Sequence, residues 1–515
     1  MILINSSPKN ALKIFQPFLP ISVPVGIGCL AAAAQKEGIK VWIIDEQVEE
    51  GVLDLIARYT EEMERPYIFG FSVLTAAVKG AVTLSEKLKG LYPDSIILFG
   101  GIHPTALPEE ILSFSHIDFV MRGEGEKSLT EFYKCAKQGK DCMHIDGFSY
   151  RKDDRIVHNP LPAVIENLDS YPPFPYHLFE SKKYDLGFVL SSRGCPYRCI
   201  FCSNRVTTLR KYRYKSAEFI IDEIDMLYHK YNIRHIFFID DNFLVSKKRI
   251  YMLIEKIKEK GFDKKMSFGF QSRGDNVDYE ILRALFNAGF RRVFFGLETA
   301  SEEIMKTIKK GETVAQCVAA VKMAKEIGFH VSATFIYGLP GDSFENRMNC
   351  IKLTDELKLD MVRYNNATPY PGTELYEIAQ REGMLNVRGL YENFFSVSAF
   401  IENPFKSIPF TYIPEGNTED EIRRDILFSY FRYYLDIGKL RSIFAKPEQN
   451  VGWFNAGDRL IETIKKLPSL FFLFLMLFAK FGQLFYYGVM KKETSVSVAY
   501  FFKIFDKLLG RRGMA

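Results

Sequence analysis

Along the first 140 residues, short apolar runs alternate with amphipathic stretches. Residues 2–5 (ILIN), 41–45 (VWIID), 67–72 (YIFGFS), 95–101 (SIILFGG) and 118–124 (DFVMRGE) are almost continuously apolar, which predicts buried strands. Residues 25–37 and 77–91 carry helical periodicity. Strands apolar on both faces, alternating with helices, predict a parallel, doubly wound α/β domain over residues 1–140. Ligands of such sheets lie beyond the carboxyl ends of the strands, which singles out Ser72, Gly100, Gly101, Gly123 and Gly125.

Residues 141–186 are proline-rich and aromatic without a clear period, and read as a linker packed against its neighbours. From 187 the alternation resumes. Strands are expected at 187–192, 235–242, 267–273, 292–298, 330–341 and 361–372, with helices at 216–231, 247–260 and 279–288. Six β/α units over 187–390 make a partial barrel, whose chemistry belongs at the carboxyl strand ends. Residues 391–515 read as mainly helical. Within them 467–490 is the most apolar part of the chain, with an unbroken run at 470–479 ended by Lys480 and Gln483. That run is shorter than the roughly 20 residues of a spanning helix. Lys465, Lys466, Lys491 and Lys492 flank the segment. Two readings stand: a helix lying in a membrane interface, and a helix buried against the barrel.

Composition narrows the class. A chain of 515 residues with 47% hydrophobic and 25% charged residues is globular and calls for two or three domains. The net charge of +5 makes no case for nucleic acid as the main partner. Cys29, Cys135, Cys142, Cys317 and Cys350 are scattered without a disulfide pattern, and no secretory signal opens the chain. A cytoplasmic location is expected.

The other three cysteines are clustered. "RGCPYRCIFCSN" sets Cys195, Cys199 and Cys202 in a C-x3-C-x2-C spacing. Zinc sites and cubane iron–sulfur clusters take four ligands, and no fourth cysteine or histidine lies nearby. Either a [4Fe–4S] cluster keeps one iron open for a ligand, or a zinc loop borrows a distant fourth residue, or the three are buried core cysteines. With Gly194, Pro196 and Phe201 also in place, the loop resembles that of the radical S-adenosylmethionine superfamily. The resemblance implies that the amino and carboxylate groups of S-adenosylmethionine take the open iron, with Phe201 shielding the cluster. It also implies Asp240 and Asp241 (IDDN, 239–242) at the methionine amine, Glu298 (GLE, 296–298) at the ribose, and Gly338 (FIYGLPGD, 335–342) at the adenine. Arg273 in "QSRGD" is either a carboxylate or substrate contact or a solvated surface residue.

The first domain resembles the Rossmann- or flavodoxin-like cobalamin-binding domains that precede many such barrels. Ser72-Val73-Leu74 and Gly100-Gly101 carry the likeness, with "HPTALPEE" (103–110) and "RGEGE" (122–126). The implied cobalamin contacts are Ser72, Leu74, Thr75, Gly100, Gly101, His103, Gly123 and Glu124. The D-x-H-x-x-G of many relatives is replaced by Val25-Gly26-Ile27-Gly28-Cys29-Leu30, so either the cobalt has no protein histidine beneath it or the domain has lost its cofactor; the first is expected. His103 is then either a corrin-edge residue or a capping or surface histidine. A plain nucleotide-binding domain is the alternative, but G-x-G-x-x-G is absent after the first strand.

Together the resemblances imply a cobalamin-dependent radical enzyme. A reduced cluster would cleave S-adenosylmethionine to a 5′-deoxyadenosyl radical that takes hydrogen from an unactivated carbon, and cobalamin would supply a methyl group. The implied partners are a small-molecule substrate and an external electron donor such as flavodoxin or ferredoxin; the apolar segment at 467–490 adds the expectation of a lipophilic substrate and peripheral contact at the inner membrane face. Alternatives are a cyclase or rearrangement enzyme without net methylation, like the porphyrin cyclases, and a non-catalytic cobalamin or redox sensor. A methylthio-transfer enzyme acting on tRNA would want a second cysteine cluster and a basic module, and neither is visible.

Overall fold

The apolar runs become two parallel sheets in the computed structural model, which describes residues 1–8, 21–402, 406–434, 471 and 475–482. The first sheet holds β1 (Ile2–Asn5), β2 (Trp42–Asp45), β3 (Ile68–Ser72), β4 (Ile96–Gly100), β5 (Phe119–Met121), β6 (Phe148–Lys152) and β7 (Arg155–His158). Their order is β2-β1-β3-β4-β5-β6-β7, with the first five parallel. The order turns back between β1 and β3, the point where doubly wound sheets open a crevice for ligands. Helices Val25–Lys36 and Glu126–Lys137 pack together over the crevice side, and the buried Ala31, Ala32, Ala33 and Ala34 let the first of them lie close.

The stretch read as a linker differs. Residues 148–158 form a hairpin that adds β6 antiparallel to β5 and β7 antiparallel to β6. Asp153 and Asp154 close it with φ of 47° and 61°, as a two-residue type I′ turn requires. The prolines on its C-terminal side masked this signal.

The second sheet holds β8 (Phe188–Val189), β11 (His235–Phe238), β12 (Ser267–Ser272), β13 (Phe290–Glu298), β14 (His330–Tyr337) and β15 (Met361–Asn366), all parallel and in chain order. Between β8 and β11 a short ribbon pairs β9 (Ser192–Arg193) with β10 (Arg213–Tyr214). Ser216, Ser246, Asp278, Thr313 and Ser343 each cap a barrel helix by accepting a backbone N–H. The barrel is open, so β15 has a free edge. Helix Glu419–Tyr434 covers it: the Tyr364 N–H donates to the Tyr430 hydroxyl at 3.1 Å, and the Tyr434 hydroxyl donates to Val362 O at 2.9 Å.

Of the apolar segment 467–490, positions 471 and 475–482 are described, and the rest lies outside the described residues. Met476 and Lys480 face inward. Lys480 Nζ donates to Ala399 O at 2.7 Å and stands 4.0 Å from the Glu402 carboxylate. Phe471, Leu475 and Phe478 are 61%, 49% and 77% exposed. Leu475 and Phe478, three residues apart, share one helical face, opposite the Met476 and Lys480 side that meets the barrel cap. Among the described residues, no helix is long and apolar enough to cross a membrane.

Candidate active site

The cysteine loop leaves the end of β8 through Ser191 and Ser192, and Asp240 holds both. Its carboxylate accepts the Ser191 and Ser192 N–H groups at 2.7 and 3.0 Å and their hydroxyls at 2.6 and 2.7 Å. Arg249 adds a contact at 3.4 Å. Asp240 is fully buried with its oxygens committed. In this arrangement Asp240 buttresses the loop. Asp241 is the exposed member of the pair and accepts the Gly194 N–H at 3.2 Å. Desolvation by the walls around it, and more weakly the Asp240 charge, raise its carboxyl above the usual range. Gly194 has φ +85°, and a Cβ there would stand 2.0 Å from Lys211 O, so the turn into Cys195 requires glycine.

Backbone bonds fix the loop further on. Ile200 N–H donates to Ile308 O at 3.0 Å, Leu375 N–H to Ile200 O at 2.9 Å, and Cys202 N–H to Cys199 O at 3.2 Å. Tyr197 lies under the Arg273 guanidinium, 3.5 Å from its ring centre, and its hydroxyl accepts Asn276 Nδ2 at 2.7 Å. Arg273 is buried and grips both oxygens of Asp275 at 2.9 and 2.8 Å. It is therefore not a solvated surface residue, and it holds Tyr197 of the loop. Phe201 is partly buried against the barrel core.

All three loop cysteines are free thiols. Burial pushes Cys195 up to about 11 and Cys202 up to about 12, and raises Cys199. Metal binding there must release these protons. Among the described residues, no three Cys, His, Asp or Glu side chains converge on a single ion position. Thiolates that each take a different iron of a cube stand farther apart than ligands of one ion. The donor set, three closely spaced thiolates, fits a [4Fe–4S] cluster with one iron left open.

Glu298 sits at a bulge in β13 with φ +62°, a conformation rarely adopted by side-chain-bearing residues and common at functional sites. Lys310 Nζ lies 2.5 Å from Glu298 Oε1, 2.7 Å from Gly296 O and 3.4 Å from Glu312. The residue assigned to the ribose is thus buried in an ion pair. Gly338, assigned to the adenine, donates its N–H to Asp342 at 2.6 Å and lies under Ile422 of the covering helix. Its N–H is committed within the protein.

On the first sheet, Leu74 projects from the end of β3 and is 57% exposed, while Thr75 is buried. Val73 N–H donates to Gly100 O at 2.9 Å, beside Ser72. Gly101 has φ +104°, and a Cβ there would meet Val73 N and O at 2.9 Å. Gly123 N–H donates to Thr105 Oγ1 at 3.2 Å. This backbone rim at the crevice, with an apolar side chain on it, fits a flat macrocycle. His103 is buried edge-on to Tyr391 at 4.6 Å, with Glu110 at 3.8 Å, so it is not a surface histidine. Glu124 is not a free ligand either. It pairs with Arg213 at 2.7 Å and with Arg193 at 3.4 Å. Sequence reasoning missed Ser191, Ser192, Arg193, Arg213 and Lys310. The one local signal was the polar pair Ser191-Ser192 ending an apolar strand.

Comparison with known proteins agrees with this geometry. The B12 binding domain model matches residues 17–133 and the Radical SAM superfamily model matches residues 189–354. The chain belongs to the cobalamin-dependent radical S-adenosylmethionine enzymes, and its cofactors are a [4Fe–4S] cluster, S-adenosylmethionine and cobalamin. An uncharacterized methyltransferase of Pyrococcus horikoshii is 34% identical over 368 residues, 70% of this chain and 79% of that protein. The anaerobic magnesium-protoporphyrin IX monomethyl ester cyclase of Cereibacter sphaeroides is 22% identical over 443 residues, 84% of this chain and 69% of the relative. In fold, the cobalamin-dependent radical enzyme OxsB, solved with aqua-cobalamin and S-adenosylmethionine bound, superposes with a TM-score of 0.69 at 18% identity, over 99% of this chain and 79% of that one. This chain is a methyltransferase-like member of the group.

Proposed function

We propose that the enzyme methylates an unactivated carbon of a small, lipophilic molecule. The observation that carries this reading is that the carboxyl ends of the two sheets abut: Glu124, just past β5, reaches Arg193, two residues before the first cluster cysteine. Bound together, the cluster and S-adenosylmethionine supply a hydrogen-abstracting radical, and cobalamin supplies the methyl group. Cys195, Cys199 and Cys202 hold the cluster. Asp241 is the carboxylate free to meet the methionine ammonium, and Leu74 offers an apolar face to the corrin. A one-electron donor such as flavodoxin or ferredoxin supplies the reducing equivalents. The exposed Phe471, Leu475 and Phe478 support a lipophilic substrate met at a membrane surface, at the inner face.

The test is anaerobic turnover with methyl-deuterated S-adenosylmethionine, a reductant, and lipid extract from the source cells. Deuterium in the lipid fraction together with 5′-deoxyadenosine is expected, and the triple Cys195→Ala, Cys199→Ala, Cys202→Ala variant should give neither. Formation of 5′-deoxyadenosine without label in any product would replace methylation by a cyclisation or rearrangement.

A further inference from the structure

Four charged residues, three of them with buried side chains and Arg193 mostly covered, join the two sheets at the site. Glu124 and Glu126 stand just past β5 and at the start of the following helix; Arg193 and Arg213 lie on the ribbon that opens the cysteine loop. Arg193 Nη2 meets Glu126 Oε1 at 2.6 Å and its Nη1 meets Glu124 Oε1 at 3.4 Å. Arg213 Nη1 meets Glu124 Oε2 at 2.7 Å and donates to Ile165 O at 2.9 Å, while the Ile165 N–H returns to Glu124 Oε2 at 2.8 Å. Three side chains are 4–7% exposed and Arg193 is 18% exposed. Two carboxylates against two guanidiniums balance in charge, as buried ions must. Burial would raise the Glu124 carboxyl; the Arg213 hydrogen bond, the Arg193 charge and the Ile165 N–H bring it below the usual carboxylate range.

The covalent neighbours of the clamp give it its meaning. Arg193 is joined to Cys195 through Gly194 alone. Ser192, on its other side, is gripped by Asp240. The end of β5 is itself hydrogen-bonded to β4, whose Gly100-Gly101 end forms the corrin-facing rim. Any slip of the first domain is therefore transmitted to the first cluster cysteine through a few stiff links.

We propose that Glu124, Glu126, Arg193 and Arg213 are positioning residues that set the spacing between the cobalamin face and the cluster. The inference rests on the cofactor reading above. It assigns these residues to the gap between the two cofactors, not to the binding of either.

The test uses the full chain loaded with cluster and cobalamin, in wild-type and Glu124→Gln forms. Iron and cobalamin content are measured first, and then the magnetic interaction between Co(II) and the reduced cluster by electron paramagnetic resonance. Wild type should show the interaction. Glu124→Gln should keep both cofactors and lose or weaken it, while Arg213→Lys, which keeps the charge, should retain more of it than Arg213→Gln. Unchanged coupling in Glu124→Gln at full cofactor content overturns the proposal. Loss of cobalamin in step with the substitution also overturns it, making Glu124 a cofactor ligand. If Glu124→Gln fails to fold, Arg213→Gln carries the same reading from the barrel side, and retained coupling there overturns the clamp. A wild type that takes up no cobalamin overturns the cofactor reading itself, and the clamp with it.

Discussion

The two rims of the site are built by different means. Around the cysteine loop, side chains hold the backbone: Asp240 receives four donors from Ser191 and Ser192, and Arg273 is stacked on Tyr197 and locked to Asp275. Around the carboxyl edge of the first sheet, backbone holds backbone: Val73 N–H donates to Gly100 O, and Gly101 lies so close to Val73 that a side chain there has no room. The first arrangement fixes a loop that must present three thiolates in one geometry. The second leaves a smooth surface that a large, flat cofactor can approach. The two rims should therefore fail differently under mutation.

The largest effect is expected at Asp240. Asp240→Asn leaves Arg249 buried without its carboxylate and turns two acceptor positions into a donor. Breaking a buried pair in this way costs about 3–5 kcal/mol. The barrel transition in chemical denaturation should move accordingly, and reconstituted iron should fall while cobalamin binding survives. A barrel unchanged by this substitution would erase the contrast between the rims.

Gly101→Ala should do the reverse at a smaller cost. A left-handed backbone angle of +104° and contacts of 2.9 Å to Val73 imply about 1–3 kcal/mol of strain, confined to the first sheet. The cobalamin retained through gel filtration should drop, with iron content unchanged.

Much of the architecture was legible because it rests on periodicity. Both parallel sheets, the six barrel strands and the loop after β8 follow from apolar runs and the C-x3-C-x2-C spacing. The site was less legible, for one physical reason. A sequence shows which residues carry lone pairs, but not which lone pairs distant donors have already taken. Asp240, Glu298 and Glu124 all read as ligand contacts by position. Their partners are Ser191 and Ser192, Lys310, and Arg213, all brought in from elsewhere in the chain. The Gly338 N–H is likewise taken, by Asp342. The 148–158 hairpin was missed because its Asp-Asp turn lacks glycine and stands beside prolines.

The smallest expected effect lies away from both rims. Desolvation lowers the Lys480 ammonium from 10.5 to about 8 despite Glu402 nearby. Between those values the unfolded chain binds the proton that the folded chain releases. Stability should therefore rise with pH from about 8 to about 10.5, and the penalty is fully present below about 8. Lys480→Met should flatten that slope in thermal midpoints and be neutral or stabilising by about 1 kcal/mol at neutral pH, because Glu402 keeps Arg423. Destabilisation would show that the ammonium is needed to hold this helix.

Arg193 also sets a rule for recombining such enzymes. It is fastened covalently to one module and electrostatically to the other, so the boundary between them is a matched lock rather than a neutral joint. A cobalamin domain transplanted from a relative has to bring acids at the positions of Glu124 and Glu126. A chimera lacking them would strand two guanidiniums in the seam. Trading modules in this architecture therefore requires exchanging the lock along with the fold.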